Sequence, residues 1–254
     1  MEVLSRKALL TWIILLQLLK KEADSETITT NIPNELSLFT NTSSLKTQVS
    51  NLLISLELKN YVMKFSYGRM TLYRLTPKGE HFLKQPLNNW QMTLERQVIS
   101  LEKMLEACRR LQSPSNKINL SYEESLFLTQ NIEAKSILSS LSLIELEERK
   151  KLLGSNEHPI SLVELQKVLK QTYGWICSST TFNNYIKNLV EANYLQLKWK
   201  KEEPNKKIRV ISIEEKGEGA IVDLANNAKR EVKTALTVFQ EIRDFLSHKK
   251  HQYI

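Results

Sequence analysis

Val49-Ser50-Asn51-Leu52-Leu53-Ile54-Ser55-Leu56-Glu57-Leu58-Lys59-Asn60-Tyr61-Val62 recurs 133 residues later as Phe182-Asn183-Asn184-Tyr185-Ile186-Lys187-Asn188-Leu189-Val190-Glu191-Ala192-Asn193-Tyr194-Leu195. Few residues are identical, but the apolar places agree. Val49, Leu52, Leu53 and Leu56 fall on Phe182, Tyr185, Ile186 and Leu189. Spacing of i, i+3, i+4 and i+7 puts each set on one face of an α-helix. Each stretch then reaches Asn before Tyr and a second apolar residue. Asn tolerates the left-handed conformation that ends a helix, so Asn60 and Asn193 are expected just past the two C-termini.

The similarity extends outward. Met63 to Leu75 reads as two short strands around Gly68-Arg69, and Thr76-Pro77-Lys78-Gly79 opens another helix. In the second copy Leu197 to Lys200 and Ile208 to Ile213 flank a turn at Glu202 to Lys207, and Glu215-Lys216-Gly217 repeats the helix opening. Gly79 and Gly217 lie 138 residues apart, which makes the second hairpin five residues longer. Shorter helices are expected before the long ones, over Ile32 to Phe39 and Ser161 to Thr172, again in step by 133. Each copy therefore reads helix, short helix, long helix, hairpin, helix.

Composition narrows the chemistry. Of 254 residues, 41% are apolar and 25% charged, the balance of a core-forming chain, while 6 Gly and 6 Pro are too few for a turn-rich all-β fold. A net charge of +8 makes a polyanion the first partner to consider. Two Cys and four His supply neither a disulfide framework nor a zinc site. With no Ser-His-Asp order and no phosphate-binding glycine loop, the expectation is no enzyme, no catalytic residue, no metal and no cofactor. Arg6 and Lys7 precede an apolar run from Ala8 to Leu19, too short to span a bilayer and followed by Lys20-Lys21-Glu22 rather than a cleavage site. It reads as a buried first helix of a cytoplasmic protein with no membrane partner.

The element order resembles a winged helix-turn-helix. Gly68-Arg69-Met70-Thr71-Leu72-Tyr73-Arg74-Leu75-Thr76-Pro77-Lys78-Gly79 is similar to the wing of PadR-type regulators. Asn205-Lys206-Lys207-Ile208-Arg209-Val210-Ile211-Ser212-Ile213-Glu214-Glu215-Lys216-Gly217 is similar to the MarR-type wing, with Asn205 in place of the family's Asp and Glu214 in place of its Thr. The two copies together resemble the two-domain members of the staphylococcal accessory regulator family. The resemblance implies a mainly α fold with small β-hairpin wings (α+β): two tandem winged helix-turn-helix domains joined by a long helix. The expected divisions are 1–86 for the first domain, 87–118 for a connecting helix and linker, and 119–254 for the second domain with its terminal helix. Leu94, Val98, Leu101, Leu105 and Cys108 make a coiled-coil-like seam on the connecting helix, and Gln112 to Asn116 breaks it. Ala225, Ala228, Val232, Ala235, Phe239, Ile242 and Leu246 line the last helix. In MarR and PadR proteins the terminal helices form a homodimer interface; packing within one chain is the other reading of both seams.

The face of each long helix opposite its core face would meet double-stranded DNA. It holds Ser44, Thr47, Ser50, Asn51 and Ser55 in the first copy, with Lys46 and Gln48 at its flanks. In the second it holds Ser179, Thr180, Asn183, Asn184, Lys187 and Asn188. Asn can pair with N6 and N7 of adenine, and Lys and hydroxyls suit phosphates. Arg69 at the first wing and Lys206, Lys207 and Arg209 at the second complete the set. Ile54 takes the place of Lys187, so the second copy is expected to be the stronger reader, although 1–118 carries +6 and 119–254 only +2. Cys108 and Cys177 are expected to be inert thiols, and Trp12, Trp90, Trp175 and Trp199 to be core or rim residues rather than a base-stacking platform. The expected function is sequence-specific transcriptional regulation. A plasmid or phage replication initiator with tandem winged helices, and a winged-helix protein–protein adaptor, are the alternatives.

Overall fold

The computed structural model describes residues 4–33, 42–84, 87–132, 134–153, 159–203 and 206–253. Among them the chain is mainly helical, with ten helices and two small antiparallel sheets. It divides into two compact units, Met1–Glu95 with Val238–Ile254, and Arg96–Thr237.

The first unit begins with α1 (Arg6–Lys20), capped by Ser5, whose hydroxyl accepts from the Ala8 amide at 3.1 Å. Leu9, Leu10, Trp12, Ile13, Ile14, Leu15, Leu16 and Leu18 are all buried, so the middle of α1 is enclosed while its ends, at Arg6, Lys7 and Lys20, are exposed. Trp12 donates its indole N–H to the Leu83 carbonyl at 3.1 Å and meets Phe245 edge-on, at 6.3 Å between ring centres. The buried indole thus keeps a polar partner, without which burial would carry a desolvation cost. Then come α2 (Ser25–Thr30), α3 (Thr42–Leu58), the hairpin β1 (Val62–Tyr67) and β2 (Met70–Leu75), α4 (Pro77–Lys84) and the start of α5 (Leu87–Arg110).

The second unit holds the rest of α5, α6 (Tyr122–Gln130), α7 (Ala134–Leu153), β3 (Ile160–Ser161), α8 (Leu162–Tyr173), α9 (Ser179–Glu191), β4 (Leu195–Glu203), β5 (Lys206–Ile213) and α10 (Glu215–Tyr253) as far as Thr237. Its sheet runs β3-β5-β4. Ser121 and Glu124 form a reciprocal capping box on α6, and Ser161 and Ser178 cap α8 and α9 through the Glu164 and Thr181 amides.

The repeat holds at the level of individual hydrogen bonds. Asn60 and Asn193 both have φ of 58°, the left-handed conformation expected of them. Tyr61 donates its amide to Leu56, and Tyr194 to Leu189, each at 2.9 Å. The Tyr61 carbonyl accepts from Thr76 at 3.1 Å, and the Tyr194 carbonyl from Glu214 at 3.0 Å. Lys78 lies over the Tyr61 ring, and Lys216 over the Tyr194 ring. A Cβ on Gly79 or on Gly217 would stand 2.2 Å from the carbonyl oxygen of Tyr61 or Tyr194. Glycine is required at both places by close approach of helix to turn.

A short helix, α2, stands before the place where one is expected in the first copy; of the expected helix over Ile32 to Phe39, only Ile32 and Pro33 are described, and neither is helical. The Asp24 carboxylate accepts from the Thr27 amide at 2.7 Å and starts the helix, and this bond lowers the Asp24 pKa. Ile32 is buried but lies beyond Asn31, which ends α2; residues 34–39 lie outside the described residues. The N-caps Asp24 and Ser161 are 137 residues apart, not 133. The sheets agree with this alignment. Ala23 bridges Tyr73 as Ile160 pairs with Ile211, each adding a third antiparallel segment beside its hairpin.

Both seams are buried within the chain. Leu94, Val98, Leu101, Leu105 and Cys108 of α5, and Ala225, Ala228, Val232, Ala235, Phe239, Ile242 and Leu246 of α10, are at most 6% exposed. The last helix, expected over Ala220 to Ser247, starts five residues earlier and runs from Glu215 without a break.

Candidate nucleic-acid interface

On α3, Ser44, Lys46, Thr47 and Asn51 are exposed, while Gln48 and Ser50 are half-buried. Gln48 donates to the Ser44 hydroxyl at 2.7 Å, and Lys46 stands 3.8 Å from Glu26 in an open pair that solvent weakens. Ser50 departs from the expectation. Its hydroxyl shares a hydrogen bond with Ser25 of α2 at 3.2 Å, so it faces the neighbouring helix. Ile54, at 54% exposed, keeps its place on the outward face.

The first turn of α1 borders this surface. Arg6, Lys7 and Leu10 line a cavity of about 320 Å³ with Gln48, Asn51 and Leu52. A second cavity of about 240 Å³ carries Lys7 along α3 to Ser55 and Lys59. Sequence reasoning missed Arg6 and Lys7 as members of the surface. Their signal was slight: two cations at the head of an otherwise apolar helix.

On α9, Ser179, Thr180, Asn184, Lys187 and Asn188 are exposed and Asn183 is half-buried. Phe182, Ile186 and Leu189 hold the opposite face in the core, which fixes the rotation of the helix. Lys187 pairs with Glu191 at 3.5 Å on the surface. Arg209 of β5 donates to the Asn183 side-chain oxygen at 3.4 Å, tying the hairpin to the helix. Lys207 and Arg209 are exposed. Lys206 is the first residue of β5, and Asn205 lies outside the described residues.

In the first hairpin Gly68 and Arg69 form the two-residue turn, closed by the Tyr67–Met70 pair. Gly68 takes φ of 61°, as that turn requires of its first central residue. Arg69 is exposed at the tip.

Trp12, Trp90 and Trp175 are core residues, as expected. Trp199 is not: it is 66% exposed. Burial pushes both thiols up, Cys108 the more enclosed, which disfavours reactive thiolates. A half-buried polar cluster in the second unit joins the linker to two helices. Glu145 of α7 accepts from the Ser113 hydroxyl at 2.5 Å and from the Tyr173 hydroxyl at 2.8 Å. Desolvation raises the Glu145 and Tyr173 pKa values. Among the described residues no group of His, Cys, Asp and Glu is arranged to hold a metal ion, and no helix is long and apolar enough to cross a membrane. No protein-family model and no curated protein matches this chain.

Proposed function

We propose that the protein is a DNA-binding transcriptional regulator, a recognition protein rather than an enzyme, built from two tandem winged helix-turn-helix domains in one chain. The observation that carries the reading is the α9 surface. A helix fixed by its apolar face exposes Thr180, Asn184, Lys187 and Asn188, and a basic hairpin is tied to it through Arg209 and Asn183. An α-helix fits the major groove, amide side chains pair with base edges, and Lys and Arg meet phosphates. The repetition of the same helix–turn–hairpin hydrogen bonds around α3 supports a second reading element of the same kind. The net charge of +8 favours the polyanion.

The test is footprinting of the full chain on fragments of genomic DNA. Protection at sites beside promoters is the expected result. Protection confined to iterated repeats at an origin would transfer the same machinery to replication initiation. Absence of binding at low salt would overturn both in favour of a protein–protein adaptor.

A further inference from the structure

We infer that Trp199 is a nucleic-acid contact of the second wing, its indole laid against a base or deoxyribose while neighbouring cations hold the phosphates. This inference rests on the DNA-binding reading above. The four tryptophans divide sharply: Trp12, Trp90 and Trp175 are at most 2% exposed, and Trp199 is 66% exposed. An indole is among the largest apolar groups a chain can bury, so its exposure beside a recognition surface points to a partner.

The hairpin register shows which side the ring is on. Trp199 pairs with Arg209, Leu197 with Ile211 and Leu195 with Ile213, so these residues share one face of the sheet. At its base this face is core, since Leu195, Ile211 and Ile213 are buried. Farther along, the strands outrun the core and the same face becomes Trp199, Arg209, Lys201 and Lys207, all exposed. Arg209 reaches from this face to Asn183 of α9, which puts the indole on the side of the wing that looks toward the helix. Cations beside an exposed aromatic ring match the chemistry of nucleic acid, where rings stack on bases and cations track phosphates. The first hairpin differs at the equivalent places: Ser66 pairs with Thr71 where Trp199 pairs with Arg209. The exposed ring of the first hairpin, Tyr67, stands one residue farther toward the tip and pairs with Met70 rather than with a cation, so a ring beside a cation at this register belongs to the second copy.

The test uses the full chain, a mixed-sequence 20-base-pair duplex and its separated strands, at low salt. Binding is followed by anisotropy of labelled DNA, and the indole by emission excited at 295 nm. The expected result is a saturable change in emission that vanishes in Trp199→Phe, which keeps the three buried emitters. Trp199→Ala is expected to weaken binding about tenfold, in line with loss of one stacking contact. Trp199→Phe is expected to retain most of the affinity. A larger emission change with single strands assigns the contact to a base, and a larger one with duplex assigns it to the sugar edge of a groove. DNA bound with unchanged emission and unchanged Trp199→Ala affinity overturns the inference while the regulator reading stands. Failure of the unsubstituted chain to bind either DNA overturns both.

Discussion

At the scale of single residues, exposure separates side chains free to pair with bases from those already engaged. Asn184 and Asn51 occupy equivalent places, and both are exposed. Asn184→Ala and Asn51→Ala should each cost about 1–3 kcal/mol on the specific site and much less on random DNA. The loss should be larger for Asn184, because Ile54 leaves the α3 surface poorer in hydrogen-bonding groups. Competition titrations against both DNAs measure the difference; equal losses on both would remove these residues from base reading. Glu145 offers a test of the half-buried cluster beside the linker. Burial raises its pKa above the ordinary value of 4.5, helped by repulsion from Glu148, so the folded protein holds that proton more tightly than the unfolded chain. Its contribution to stability therefore falls as pH rises from about 4.5 upward. Glu145→Gln keeps an acceptor for Ser113 and Tyr173 without the charge. It should unfold at higher denaturant than the parent at pH 7, and the gap should close below pH 4.5. A gap independent of pH would show that the carboxylate is not the cause.

At the scale of elements, two glycines decide how each hairpin returns to its helix. Alanine in a helix interior gains about 0.5–1 kcal/mol over glycine. At Gly79 and Gly217 the added carbon would stand 2.2 Å from a carbonyl that already accepts a backbone hydrogen bond. Moving that turn should cost more than the helix gains, a net loss of roughly 1–3 kcal/mol. Thermal unfolding of Gly79→Ala and Gly217→Ala decides the sign, and a raised midpoint would refute the close-approach argument. The wings make the opposite case. Arg69 stands exposed on its turn and Lys207 on its strand, so replacing Arg69, or Lys206 with Lys207, by Ala should leave the unfolding midpoint within a degree or two and weaken DNA binding. If Arg69 enters a minor groove rather than meeting phosphate, the loss should grow on A·T-rich sites, whose narrow groove attracts Arg. Equal affinity on every DNA would make the wing a bystander.

At the scale of the whole molecule, cations stand on both proposed reading surfaces, although residues 1–118 carry +6 of the net charge and 119–254 only +2. If about 6 phosphates are neutralised, log K should fall against log[salt] with a slope near −5, from about −0.9 per phosphate. A slope near half that value would mean that one copy alone engages DNA. Anisotropy titrations across a series of salt concentrations provide it. The residues of both helix seams are buried, whereas the polar faces of α3 and α9 are exposed.

Local pattern alone determined much of this protein. The 3.6-residue period located α3 and α9, the Asn-Tyr steps marked their ends, and Gly68-Arg69 set the register of the first hairpin. Those features depend on neighbours within a few turns, so they are written in consecutive residues. Tertiary structure decided what depends on distant partners. A short helix begins at Asp24, where the bridge between Ala23 and Tyr73 fixes the turn of the chain. Ser50 faces inward because α2 brings Ser25 to it. Arg6 and Lys7 join the α3 surface from a helix some forty residues away in sequence. Trp199 stands in solvent because β4 and β5 extend beyond the core that covers Leu195 and Ile213. Alternation along a strand assigns a side chain to a face, but only the packed fold fixes where along that face the cover ends.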